Sequence, residues 1–179
     1  MPTNVEIKAR IRNWTQIQTL VAELADGPPE ILNHYDTFFR VSRGRLKLRD
    51  LGDGRGELIH YERPDVSGPK CSHYRVYPTR DPESLCALLG GALGVVGTVQ
   101  KTRRLYWYGP TRIHLDEVAG LSHFLELEVV LRAGQSASEG KRLADELLTR
   151  LEIAQDDLVA GAYLDLLLAR QQTEQSNEK

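Results

Sequence analysis

Asn4-Val5-Glu6-Ile7-Lys8 and Phe124-Leu125-Glu126-Leu127-Glu128 are two short segments in which polar or charged residues alternate with apolar ones. In an extended strand alternate side chains share a face, so Glu6 and Lys8 lie together on one face and Glu126 and Glu128 on another. The alternation returns in Arg45-Leu46-Lys47-Leu48-Arg49, at Lys101 and Arg103, and in Arg112-Ile113-His114-Leu115-Asp116. A single strand of this kind is more often the wet-faced strand of an antiparallel sheet. Here the pattern repeats, bases dominate most segments, and the carboxylates concentrate on the first and late strands. A merely solvated face would intermix the signs along each strand. The reading that follows is a closed sheet with its charged faces turned inward, crowding acids and bases into one water-filled cavity suited to a metal-bound polyphosphate.

Around these segments the chain reads as one α+β domain over residues 1–170, an antiparallel eight-stranded closed barrel with external helices. Strands are expected at 4–8, 35–39, 45–49, 57–63, 73–77, 99–106, 111–117 and 123–132, mostly with short turn-rich links. Ile17, Leu20, Val21 and Leu24 mark an amphipathic helix that stops before Pro28-Pro29. Pro82-Glu83-Ser84 opens a second helix that ends in the glycine-rich stretch 90–97. Ser136 and Glu139 fit a capping box for a third, which carries Leu143, Leu147 and Leu148. Asp156 is placed to cap the last helix, and the polar residues 171–179 are expected to be disordered. Closing the barrel would remove exposed strand edges and create a lumen.

The 179 residues suffice for a buried core without disulfides. Lys plus Arg number 23 against 25 Asp plus Glu, so basic character is local and general nucleic-acid binding is disfavoured. The two cysteines, Cys71 and Cys86, form no Cys-x-x-Cys pair, and neither a leader nor an 18-residue apolar run is evident. A cytoplasmic protein with reduced thiols and no membrane association is expected.

The order of these motifs is informative. Val-Glu-Ile-Lys at 5–8, Arg-Leu-Lys-Leu-Arg at 45–49, Tyr-Glu-Arg-Pro at 61–64, Lys-Thr-Arg at 101–103, then Leu-Asp-Glu-Val-Ala-Gly-Leu at 115–121 and Phe-Leu-Glu-Leu-Glu at 124–128 follow one another. Together they resemble the CYTH superfamily, the triphosphate tunnel metalloenzymes. That group includes class IV adenylyl cyclases, thiamine triphosphatases and inorganic triphosphatases. The resemblance spans residues 4–168 and implies a tunnel that binds a small-molecule triphosphate with Mg²⁺ or Mn²⁺. One position departs: the family opens Glu-x-Glu-x-Lys, and this chain has Asn4 at the first acidic place. A neutral amide is a poorer partner than carboxylate for a hard cation.

A triphosphate carries about four negative charges near neutral pH, so its site needs several cations and a divalent metal to offset desolvation. Lys47, Arg49, Arg63, Lys101 and Arg103 are the expected catalytic and phosphate-binding set, joined in binding by Lys8 and Arg112. Arg offers a planar fork for two phosphate oxygens, and Lys a compact charge. Lys70, in Gly-Pro-Lys, is placed by the resemblance on a mobile loop reaching a distal phosphate; a solvated loop lysine is the simpler reading. Glu6, Asp116, Glu126 and Glu128 are the expected metal ligands, and ion pairing inside the barrel is the alternative for the last two. Tyr35, Tyr61 and His114 are candidates to position a water, although a packed aromatic is the simpler role for Tyr35. Hydrolysis of an inorganic or organic triphosphate is the leading expectation. Cyclisation of ATP to cyclic AMP and pyrophosphate is the second, and triphosphate or polyphosphate sensing without turnover the third.

Overall fold

The computed structural model describes residues 3–177. Eight strands form one closed antiparallel barrel: β1(Thr3–Arg10), β2(Glu30–Phe39), β3(Arg45–Asp50), β4(Gly56–Glu62), β5(Lys70–Thr79), β6(Val95–Tyr108), β7(Thr111–Val118) and β8(His123–Val130). Around the barrel their order is β1-β5-β4-β3-β2-β6-β7-β8, so β1 closes the ring by bonding to both β5 and β8. Every strand has two neighbours and the sheet has no edge. Beyond its pairing with β5, β1 is covered by a bridge from Ala9 to Leu158 and by the Val159 N–H, which donates to the Lys8 carbonyl at 2.9 Å.

The outer face of β1, β7 and β8 settles which way the charges point. Val5, Ile7, Ala9, Ile113, Leu115, Leu125, Leu127 and Val129 are fully buried. All but Ala9 pack in one cluster with Ile17 and Val21 of α1(Trp14–Leu24) and Ala144, Leu147 and Leu148 of α3(Ala137–Arg150). With those positions under the helices, the intervening charged positions face the lumen. Apolar burial of this extent is the main driving force for closure, roughly 1.5 to 3 kcal/mol for each large side chain. At Gly140 the contact is close enough that an added Cβ would sit 2.8 Å from Val5 Cγ2, so a larger residue there would push α3 or the Val5 side chain aside.

The helix starts follow the expected chemistry. The Asn13 side chain accepts from the Gln16 N–H at 3.1 Å at the head of α1. Ser136 and Glu139 form both halves of the capping box on α3. Asp81 caps α2(Pro82–Leu93), which runs through Gly90-Gly91, and β6 begins at Val95, four residues earlier than the expected strand.

The C-terminal region differs from its reading. Asp156 lies in a single 3-10 turn, Gln155–Asp157, well before α4(Tyr163–Asn177). Asp165 instead serves the α4 start, accepting from the Ala162 N–H at 2.7 Å. Residues 171–177 are helical rather than disordered, while residues 178–179 lie outside the described residues. Once a packed first turn has met the nucleation cost, a polar run without Pro or Gly can extend a helix. The Arg170–Glu174 pair at 2.7 Å adds an i,i+4 contact.

The first turn of α4 closes one end of the barrel. Val159, Tyr163 and Leu164 pack with Phe38, Val99, Val118 and Phe124 in a second apolar cluster. Leu164 lies over Gly97, where an added Cβ would stand 2.7 Å from its Cδ1. Among the described residues no helix is long and apolar enough to cross a membrane.

Candidate functional site

The barrel encloses a cavity of about 430 Å³. Glu6, Lys8, Lys47, Arg49, Arg63, Lys101, Arg103, Arg112, Glu126 and Glu128 all line it, as strand alternation predicts. Asp116 and Lys70 stand behind this lining. Lys70 is not on a loop: it is the first residue of β5, opposite Glu6, 2% exposed, and donates to the Val66 carbonyl at 2.9 Å. Pairing with β1 extends the strand back to the residue after Pro69. Burial and nearby Arg63 bring the Lys70 pKa down to about 8.

Two buried aspartates organise the cations. Asp36 on β2 accepts from Lys47 Nζ at 2.7 Å, Arg49 Nε at 2.8 Å and Arg49 Nη2 at 2.9 Å. Burial alone would raise its pKa, but Lys47, Arg49 and Lys101 hold it well below the usual carboxylate range. Asp116 on β7 takes a two-bond grip from Arg103 at 2.7 and 2.6 Å and a hydrogen bond from the Tyr163 hydroxyl at 2.8 Å. Lys101 Nζ lies 3.5 Å from the same carboxylate. Asp116, expected as a metal ligand, is instead enclosed with both oxygens engaged by Arg103 and Tyr163 and no exposed surface. Burial, with the adjacent Arg103 charge, depresses the Lys101 pKa to about 7, and burial beside Arg49 lowers that of Lys47.

The remaining acids occupy the β1–β8–β7 wall. Glu6 pairs with Arg63, Lys8 lies 3.2 Å from Glu126, and Arg112 lies 2.7 Å from Glu128. Burial and the neighbouring Glu126 carboxylate raise the Glu6 pKa, whereas Lys8 and Arg103 overcome burial to keep Glu126 well below its ordinary value. His114, Glu126 and Glu128 each place one donor atom within 4.8 Å of the others. Burial and Arg103 lower the His114 pKa, leaving its imidazole neutral near pH 7. Its Nδ1 and the Asn4 Oδ1 are buried lumen atoms without a hydrogen-bond partner. Two carboxylates and a neutral imidazole with an unused nitrogen fit a divalent cation such as Mn²⁺, and the carboxylates alone suit Mg²⁺.

Some site residues escaped the sequence reading. Asp36 is the main one, and its signal was a carboxylate at the lumen parity of β2, directly opposite Arg49. Tyr163 is another: Lys8 Nζ lies 4.0 Å above its ring and Lys101 Nζ 5.1 Å away. His34 lines the cavity opposite Lys101, its pKa lowered to about 2 by burial and by Arg49, Lys101 and Arg103. His114 joins the carboxylates. Tyr61 borders the cavity, but Tyr35 faces outward, 47% exposed, neither packed nor in the site.

Comparison with known proteins agrees with this architecture. The CYTH domain profile matches residues 2–163. No curated protein matches the chain. Among solved structures, protein PH1012 of Pyrococcus horikoshii OT3 superposes with a TM-score of 0.82 at 23% identity, covering 92% of this chain and 99% of that one. A Vibrio parahaemolyticus protein provisionally assigned as an adenylate cyclase gives 0.74 at 18% identity, with 92% and 97% covered. The Hippeastrum adenylyl cyclase candidate HpAC1, described as having a dominant triphosphatase activity, gives 0.65 at 14% identity, with 94% and 96% covered. At these identities the structural likeness speaks for the fold, and the profile match over most of the chain places this protein in the CYTH domain family.

Proposed function

We propose that this protein is a metal-dependent hydrolase of a triphosphate, inorganic or organic, bound in the lumen. The observation that carries the reading is the division of the cavity. Lys47, Arg49, Lys101 and Arg103, fixed by Asp36 and Asp116, face a wall bearing His114, Glu126 and Glu128. Fixed cations lose little freedom on meeting phosphate oxygens, and in a site screened from water their charges act at low dielectric. The Arg forks can hold pairs of phosphate oxygens, and the lysines can neutralise charge developing on the leaving phosphate. His114, Glu126 and Glu128 are the residues that would hold Mg²⁺ or Mn²⁺, which when bound polarises phosphate oxygens and offsets their charge. Asp116 acts through Arg103 as an anchor of the cationic wall. Hydrolysis would attach a water oxygen to phosphorus, break the bridging P–O bond, and leave orthophosphate with a shortened phosphate chain.

Cyclisation of ATP is the second reading, favoured by the provisional cyclase assignment of a structural neighbour. The described triphosphatase activity of HpAC1 weighs toward hydrolysis on the same fold. Asn4 in place of a family carboxylate keeps a third reading, binding without turnover, in view. The deciding experiment incubates the protein with inorganic triphosphate, ATP and thiamine triphosphate, each with Mg²⁺ or Mn²⁺. Orthophosphate release is expected. Cyclic AMP with pyrophosphate would establish the cyclase, and binding without product the sensor.

A further inference from the structure

The lumen is closed at one end and open at the other, and this asymmetry bears on which part of a phosphate chain can enter. At the closed end, Tyr163 and Leu164 of α4 seal against Phe38, Val99 and Phe124, all nearly or fully buried. Polar contacts from β3 and from the segment after β4 anchor the seal. Arg45 bonds to Asp65 and to Asp165 of α4 at 2.7 and 2.8 Å, and Arg63 donates to the Gly161 carbonyl at 2.7 Å. Toward the other end the same strands become exposed: on β5 the lumen residues pass from buried Ser72 to Val76 at 45%. Lys8 and Lys101 stand directly over the Tyr163 floor, at 4.0 and 5.1 Å from its ring.

We infer that the site is a blind pocket that recognises the end of a phosphate chain, taking the terminal phosphate to the Tyr163 floor while the rest of the molecule extends through the open end opposite it. The inference rests on the triphosphate reading above. A terminal phosphate carries close to two charges near neutral pH, whereas an internal one carries one, so the end group has most to gain from the two lysines at the floor. A chain cannot thread through a floor sealed by packed aromatic and aliphatic side chains. Internal segments of a long polyphosphate therefore cannot reach the floor, and a ring, which has no end, reaches it without the doubly charged terminal group.

The test displaces inorganic triphosphate from the wild-type protein with linear polyphosphates of increasing length and with cyclic trimetaphosphate, so that only binding in the lumen is read. Affinity per chain is expected to stay within about threefold from three phosphates to roughly sixty, because each linear chain has the same two ends. Cyclic trimetaphosphate, with three phosphates and no terminus, should compete about ten- to a hundredfold more weakly. Affinity per chain that climbs with length by tenfold or more, or a ring that competes as well as the linear molecule, overturns the blind-pocket inference while leaving triphosphate binding intact. Failure of linear triphosphate itself to bind overturns the functional reading, and the inference falls with it.

Discussion

Asp36 and Arg49 stand directly opposite each other on β2 and β3, joined by two hydrogen bonds of 2.8 and 2.9 Å, and the aspartate is 2% exposed. The same carboxylate holds Lys47 at 2.7 Å. One buried anion thus fixes two of the cations that face the cavity. Without it, Lys47 and Arg49 would repel each other inside a desolvated wall.

Replacing Asp36 by Asn tests that dependence. Removing one partner of a buried ion pair leaves uncompensated charge, so the variant should lose about 3 to 5 kcal/mol of stability in urea denaturation. Bound triphosphate should restore part of the loss by supplying the missing negative charge. Unchanged stability, or no rescue by ligand, would show that Asp36 is not the anchor.

His34 supplies the pH dependence. Its folded pKa is about 2 against an unfolded value of 6.5, because burial and then Arg49, Lys101 and Arg103 oppose its charge. Well above pH 6.5 both states are essentially unprotonated at this residue. As pH falls below 6.5, the unfolded chain gains a proton that the folded chain refuses, and stability declines by up to about 1.4 kcal/mol per unit. His114 contributes with the same sign, so the comparison is between wild type and His34→Gln. The variant should lose this one group's contribution to the slope between pH 6.5 and about 4.5. NMR should find the folded His34 ring untitrated over that window.

Metal binding can be followed without turnover. Glu126→Gln and Glu128→Gln keep side-chain size but remove an anionic donor from the cluster with His114. Mn²⁺ affinity, read by electron paramagnetic resonance or calorimetry, should fall at least about tenfold in each while circular dichroism stays that of a folded barrel. Equal Mn²⁺ binding by wild type and both variants would remove these residues from the metal assignment.

Much of this structure was legible in the sequence because a period of two encodes which face of a strand a residue occupies. Glu6, Lys47, Arg103 and Glu126 could be assigned to the lumen one strand at a time. What stayed hidden depends on which residues meet across strands. Asp36 becomes an anchor only through its register with Arg49, and Asp116 is drawn into the cationic wall by Arg103 and Tyr163. Lys70 read as a loop residue because Gly68 and Pro69 precede it, yet pairing with β1 carries the strand back to it. The floor came from α4, whose first turn is recruited by packing over Gly97 rather than by any local signal at Asp156.

The most direct measurement of the central claim is calorimetric titration of inorganic triphosphate and of ATP, with Mg²⁺, into wild type, Arg49→Ala and Arg103→Ala. If the cationic wall grips the phosphate chain itself, each variant should lose both ligands by similar factors. The expected loss is about 1.5 to 3 kcal/mol, roughly ten- to a hundredfold in Kd. Wild-type affinity for inorganic triphosphate should be at least equal to that for ATP. Affinities unchanged by either substitution, or a loss confined to ATP, would contradict triphosphate binding by the lumen cations.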